Sequence, residues 1–215
     1  TGDSNVAIGA YALDANTTGV DNVAVGRHAS GGSQTVTGIT AIGHETLKVS
    51  VGANNTAIGH KVMLENTTGA KNTAVGYKSL LNNTTGNNNV AIGMNASGLL
   101  STGDNNTSVG YAALYNNVAT RNTSVGYANL FANTTGADNT ALGSSALYAN
   151  TTGTRNIAIG VNAYSASDTE DDNIAIGYNA MTVNTAGGTQ NVAIGNYSSD
   201  RLTSGDSNTC VGHNS

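Results

Sequence analysis

Asn55-Thr56-Ala57-Ile58-Gly59 decides how this chain is read. The same five-residue pattern opens at Asn5, Asn22, Asn72, Asn89, Asn106, Asn122, Asn139, Asn156, Asn173, Asn191 and Asn208, with one degenerate copy, Ile39-Thr40-Ala41-Ile42-Gly43. Successive copies stand about 17 residues apart, and no step departs from that by more than one; a period this regular marks a repeat architecture, in which each unit buries its apolar residues only against its neighbours.

We number each period from its Asn as position 0. Positions 1 and 3 carry Val, Thr, Ile or Leu, position 2 carries Ala, Ser or Cys, and position 4 is always Gly. Beta-branched residues flanking a small one give a period-2 pattern, the mark of a short strand with a bulky face and a flat face. No helical stripe competes with it. A second apolar pair follows at positions 7 and 8, for example Ala12-Leu13, Ser79-Leu80 and Ala146-Leu147. It reads as a second short strand or extended segment. Asn-Thr-Thr-Gly then stands at Asn16, Asn66, Asn83, Asn133 and Asn150 as a turn, with Asn bonding to backbone and Gly supplying free φ.

The expectation is an all-β, stacked-coil parallel β-solenoid. It forms one repeat domain over 1–215, of about 12 to 13 coils, cut from a longer fibre. With parallel strands stacked about 4.8 Å apart, twelve steps span roughly 58 Å. The corner glycines Gly9, Gly26, Gly43, Gly59, Gly76, Gly93, Gly110, Gly126, Gly143, Gly160, Gly177, Gly195 and Gly212 should form one line, either in a backbone region open to Gly or under close backbone approach.

Composition narrows the function classes. Charged residues are 10% and the net charge is -5, with no basic cluster along the sequence, which argues against nucleic acid. The single cysteine, Cys210, excludes an intrachain disulfide, and its position-2 slot suggests a buried, inert thiol. No apolar run is long enough to span a membrane. No catalytic constellation appears, and no period outgrows the common length by more than a single residue, leaving no inserted loop for an active site. The expectation is no enzyme and no cofactor.

The repeated pentapeptide resembles the head repeats of YadA-like trimeric autotransporter adhesins, and arrays of Asn-Thr-Ala-Ile-Gly-Tyr with Asn-Thr-Thr-Gly are similar to phage-tail-fibre and other bacterial surface fibre repeats. The resemblance covers the whole chain. It implies a left-handed parallel β-roll, three identical chains side by side, and an extracellular location on a cell surface or virion. A need for partner chains also follows from the residues, because an uncovered Val/Ile strip would exceed a normal apolar patch. The number three comes from the resemblance.

Several side chains are candidates for contact. Tyr77, Tyr111, Tyr127 and Tyr178 share position 5, and Tyr115, Phe131 and Tyr148 share position 9. Such ladders can stack on a surface glycan or a protein receptor, and equally on a neighbouring chain. His44 and His60 share position 5 in consecutive coils, a weak metal-site pattern set against two ordinary histidines. The acidic run Asp168-Thr169-Glu170-Asp171-Asp172 lacks calcium-loop spacing and reads as a solvated turn. The Asn-x-Thr sequons read as turn chemistry. The leading function is a structural and adhesive fibre segment. An ice-binding solenoid is the alternative, from the position-12 column Thr17, Thr67, Thr84, Thr134, Thr151, Thr185 and Thr203, which Gln34, Val51, Val118 and Asp168 interrupt.

Overall fold

A computed structural model describes residues 2–33, 35–183 and 187–215. The described residues are all-β, and every strand is one motif copy. They fall into two compact units, Thr1–Asn106 and Thr107–Ser215, taken here one at a time. The first holds β1 (Val6–Ile8), β2 (Val23–Val25), β3 (Thr40–Ile42), β4 (Thr56–Ile58), β5 (Thr73–Val75) and β6 (Val90–Ile92). The second holds β7 (Thr107–Val109), β8 (Thr123–Tyr127), β9 (Thr140–Ser144), β10 (Ile157–Ile159), β11 (Ile174–Ile176), β12 (Val192–Ile194) and β13 (Thr209–Val211). Within each unit a strand pairs in parallel with the next, one coil on, so that Ala41 faces Ala57 and Ala158 faces Ala175. Each unit is thus a β-solenoid with one coil per repeat. No helix of the described residues is long and apolar enough to cross a membrane.

The small residue at position 2 points inward. Ala24, Ala41, Ala57, Ala74, Ala91, Ala141, Ala158 and Ala175 are fully buried. The bulky positions 1 and 3 therefore point outward, as the pleat requires. The interior is completed by position 8, where Leu47, Leu80, Leu114, Leu130 and Leu147 are fully buried. Burying one such leucine contributes about 2–3 kcal/mol.

The second apolar pair is not a strand. It lies in turns, and the residues at positions 6 and 8 are left-handed: Lys78 and Leu80 have φ of 56° and 47°, Ser145 and Leu147 of 56° and 51°. A left-handed residue costs roughly 1–2 kcal/mol unless it is Gly, Asn or Asp. Bonding along the stack offsets that cost. At position 6, Lys61 N–H donates to the His44 carbonyl of the preceding coil (3.0 Å), and at position 8, Leu80 N–H donates to Ala96 of the following coil (3.0 Å). Alternating hands turn successive peptides up and down the stack, so this segment bonds to its neighbours as a strand would while bending the chain.

Two columns of buried asparagine run beside the strands. At position 0, Asn55 Oδ1 accepts from Asn72 N–H (2.9 Å) and Asn72 Oδ1 from Asn89 N–H (2.9 Å). Their amide groups donate to the turn carbonyls of Gly69 and Gly86 (both 2.8 Å). At position 11, Asn83 Nδ2 donates to Asn66 Oδ1 and Asn150 Nδ2 to Asn133 Oδ1 (both 2.7 Å). This second column stops where the following coil substitutes Leu100 or Ser167, which leaves Asn83 Oδ1 and Asn150 Oδ1 without a partner. Most polar groups this deep are hydrogen-bonded, and the bonds along the columns tie coil to coil in one register.

The corner glycines that are described with their surroundings all have positive φ, and all but Gly212 also lie under close backbone approach. Gly110 has φ of +131°, and a Cβ there would overlap the Gly126 carbonyl. The turn glycines differ from expectation. Gly86 is not left-handed. A Cβ on it would lie 2.5 Å from both Gly103 O and Asn83 Oδ1. Close approach to the next coil, rather than free φ, requires glycine there.

Candidate functional site

Each unit exposes a strand face and columns of corner side chains, built by the one-coil register. On the strand face, position 3 is the most open: Ile58 is 37% exposed, Ile92 40% and Leu142 45%. Beside them at position 1 stand Thr56, Val90 and Thr140, half-buried. The same apolar rank recurs in both units.

At position 5, rings stack along the coils. His44, His60 and Tyr77 form one run with centroids 5.1 and 5.5 Å apart, and Tyr111 stacks on Tyr127 at 5.3 Å. Tyr178 instead meets Tyr197 edge-on. At position 9, Tyr115, Phe131 and Tyr148 stack at 5.4 Å with planes within 8°. Both faces of Phe131 are therefore covered by neighbours. A sugar stacks on an aromatic face, and these columns offer mainly edges and hydroxyls. Within each run the rings pack on one another, because the coil spacing is close to ring-stacking distance and leaves no room for a ligand between rings.

His44, Glu45 and His60 place three ligand atoms within 4.8 Å of one another, a set that could close on a divalent ion. Glu45 is already engaged, by Lys48 at 3.2 Å and Lys61 at 3.7 Å. Lys48 foremost, helped by His44 and Lys61, holds its carboxyl below the usual range against an opposing desolvation. A dication would have to displace two ammonium groups.

The acidic run is not simply a solvated turn. Glu170 is 3% exposed. Its Oε2 accepts from Ser167 Oγ (2.8 Å) and from the N–H groups of Asp168 and Thr169, and its Oε1 from Gly187 N–H (3.2 Å). Ser167 occupies the position-11 asparagine slot, and Glu170 supplies the missing acceptor. Burial pushes this carboxyl up, but the hydrogen bonds outweigh it and the net shift is downward. A depressed carboxylate contributes stability that is present above its unfolded pKa and lost as pH falls through its folded pKa. We expect acid to destabilise the wild type more steeply than Glu170→Gln below the ordinary carboxylate range. Parallel acid melts of the two would check this; coincident profiles would contradict it.

Arg121, Asp138, Arg155 and Asp172 each precede a motif asparagine, and the coil aligns them as alternating charges. Arg121 Nε and Nη2 bond Asp138 at 2.6 and 2.8 Å, and Arg155 bonds Asp172 at 2.6 and 2.9 Å. Each arginine holds its aspartate's carboxyl below the usual range. Sequence reading missed this column because its members stand one full period apart; aligning the repeats by period would have found it.

The remaining candidates are quickly placed. Thr67 and Thr84 of the threonine column donate their hydroxyls to carbonyls one coil on (2.8 and 2.9 Å), as do Thr134 and Thr151. Gln34 and Thr185 lie outside the described residues. Asn66 and Asn83 of the sequons are fully buried, in keeping with turn chemistry. Cys210 is half-buried rather than enclosed, since β13 has a described coil on one side only. Among the described residues the surface forms no pocket. No protein-family model, curated protein or solved structure matches this chain.

Proposed function

We propose that this chain is a non-enzymatic structural and adhesive fibre segment, in which identical chains cover one another's outward strand faces and the corners stay free for a surface receptor. The observation that carries the reading is the outward rank at position 3, where Ile58, Ile92 and Leu142 keep more than a third of their surface exposed while the coil interior is filled by Ala and Leu. Within each unit, an apolar strip of this kind needs a partner. A second copy carries the same strip at the same spacing. Three chains, and an extracellular place on a cell or virion, follow from the resemblance of the pentapeptide to adhesin-head and tail-fibre repeats. The ice-binding alternative gains no support, because four of the column's hydroxyls, those of Thr67, Thr84, Thr134 and Thr151, donate to the chain's own carbonyls.

Sedimentation velocity tests this directly. A species three times the 21.5 kDa chain mass is expected. Ile58→Lys with Ile92→Lys should yield monomers with an unchanged β-type circular dichroism spectrum. A wild-type monomer would refute the assembly.

A further inference from the structure

Along the sequence no basic cluster is visible, but the coil makes one in the first unit. Arg27, His44, His60 and Tyr77 occupy position 5 of successive coils, and His28, Glu45, Lys61 and Lys78 occupy position 6. Backbone bonds hold them in line: Glu45 N–H to Arg27 O, Lys61 to His44 and Lys78 to His60, at 3.0 to 3.1 Å. The basic residues of residues 1–106 are Arg27, Lys48, Lys61, Lys71 and Lys78, and three of them, Arg27, Lys61 and Lys78, stand at these two positions. Glu45 is the one carboxylate there, and Lys48 and Lys61 both pair with it. Lys48 and Asp14, both at position 9, and Glu65, at position 10, lie farther round the coil, and Asp3, Asp21 and Asp104 lie on the opposite approach to the motif asparagine. Arg27 and His60 are exposed, and Lys61 and Lys78 partly so. A line of positive charge thus runs through a unit whose net charge is negative.

We propose that this corner binds a linear acidic polysaccharide, laid along the stacking direction. The proposal deepens the adhesive reading and rests on it in one respect, that the outer corners meet a receptor. Three features favour this ligand chemistry. The charges form a line one coil wide, which suits a chain-like polyanion better than a planar anionic membrane. The aromatic rings of the column stack on one another, His44 on His60 and Tyr11 on His28 at 4.8 Å, so few open faces remain for nucleic-acid bases. Their edges offer N–H and O–H groups to hydroxyls, and the Lys78 ammonium sits 5.1 Å from the Tyr77 ring centroid, held at the surface for a sulfate or carboxylate.

The test is binding of the full chain to immobilised heparin at low ionic strength, with neutral dextran as control and single-stranded DNA and phosphatidylserine vesicles as competing probes. Heparin binding is expected to weaken with salt. It should fall roughly tenfold or more in the triple variant Arg27→Gln, Lys61→Gln, Lys78→Gln. Glu45→Gln frees Lys48 and Lys61 and should tighten it. Arg121→Gln with Arg155→Gln, in the second unit, should leave it unchanged. No binding, binding indifferent to the triple variant, or DNA or vesicles bound as tightly as heparin would overturn the proposal. Sedimentation of the same samples separates the two readings. An intact assembly that ignores heparin rejects only this inference, and a monomer that binds it rejects only the assembly.

Discussion

Gly110→Val is expected to lower the melting temperature by about 10 °C or more, since a loss of several kcal/mol moves a chain of this size by about 2–4 °C per kcal/mol. Two costs combine. The backbone at Gly110 has φ of +131°, a region that a beta-branched residue does not enter without strain. The added Cβ would also overlap the Gly126 carbonyl, whose carbon lies 2.7 Å away. Neither atom can retreat, because both belong to bonded coils, and overpacking against backbone is the unyielding kind. Thermal unfolding followed by circular dichroism measures it, and a variant that melts like wild type would remove the close-packed corner from the account. Gly86→Ala belongs beside it. A turn glycine with merely free φ would lose about 1 kcal/mol on such a change. Gly86 is pressed by Gly103 O and by the Asn83 side chain, so a distinctly larger loss is expected.

Asn72→Ala is expected to cost about 2–4 kcal/mol, from a buried, hydrogen-bonded polar position. Asn72 is fully buried. Its removal strands the Asn89 N–H, which loses its acceptor at 2.9 Å, and takes one of two donors from the Gly86 carbonyl, which keeps Asn83 Nδ2 at 3.0 Å. The stranded N–H costs roughly 1–3 kcal/mol, and the lost bond and vacated volume add to it. Asn72→Asp keeps the acceptor but buries a charge against a carbonyl, so it should fare no better. Lys71→Asn, one residue away, is the control. Lys71 is exposed and left-handed at φ of 59°, a conformation asparagine accepts readily, so that variant should melt at or slightly above wild type. Equal melting of Asn72→Ala and wild type would mean that the asparagine column does not hold the coils together.

The pentapeptide by itself determined the coil. A glycine at constant phase and beta-branched residues around a small one specify a strand, its length and its neighbour, because only stacking can bury a unit this short. It also implied which residues would be bulky on one face. Local pattern could not say which face turns inward, since period 2 is symmetric between the two sides of a strand. The structure placed Ala57 inside and Ile58 outside, because the coil is too narrow for the larger side chain there and position 8 already fills it with Leu.

Other features belonged to the tertiary structure alone. Leu80 and Leu147 look like strand residues in sequence, yet they are left-handed, and only the bonds to adjacent coils make that conformation worthwhile. Glu170 looks like part of a solvated acidic turn until Ser167 and Gly187 close around it. The charged columns, Arg121 to Asp172 in one unit and Arg27 to Lys78 in the other, have members about one period apart in sequence. They meet because parallel stacking converts that period into a single step between adjacent strands, about 4.8 Å. The order of residues sets which side chain stands at each position of the coil; neighbouring coils decide which of them touch, and so which surface the chain has to offer.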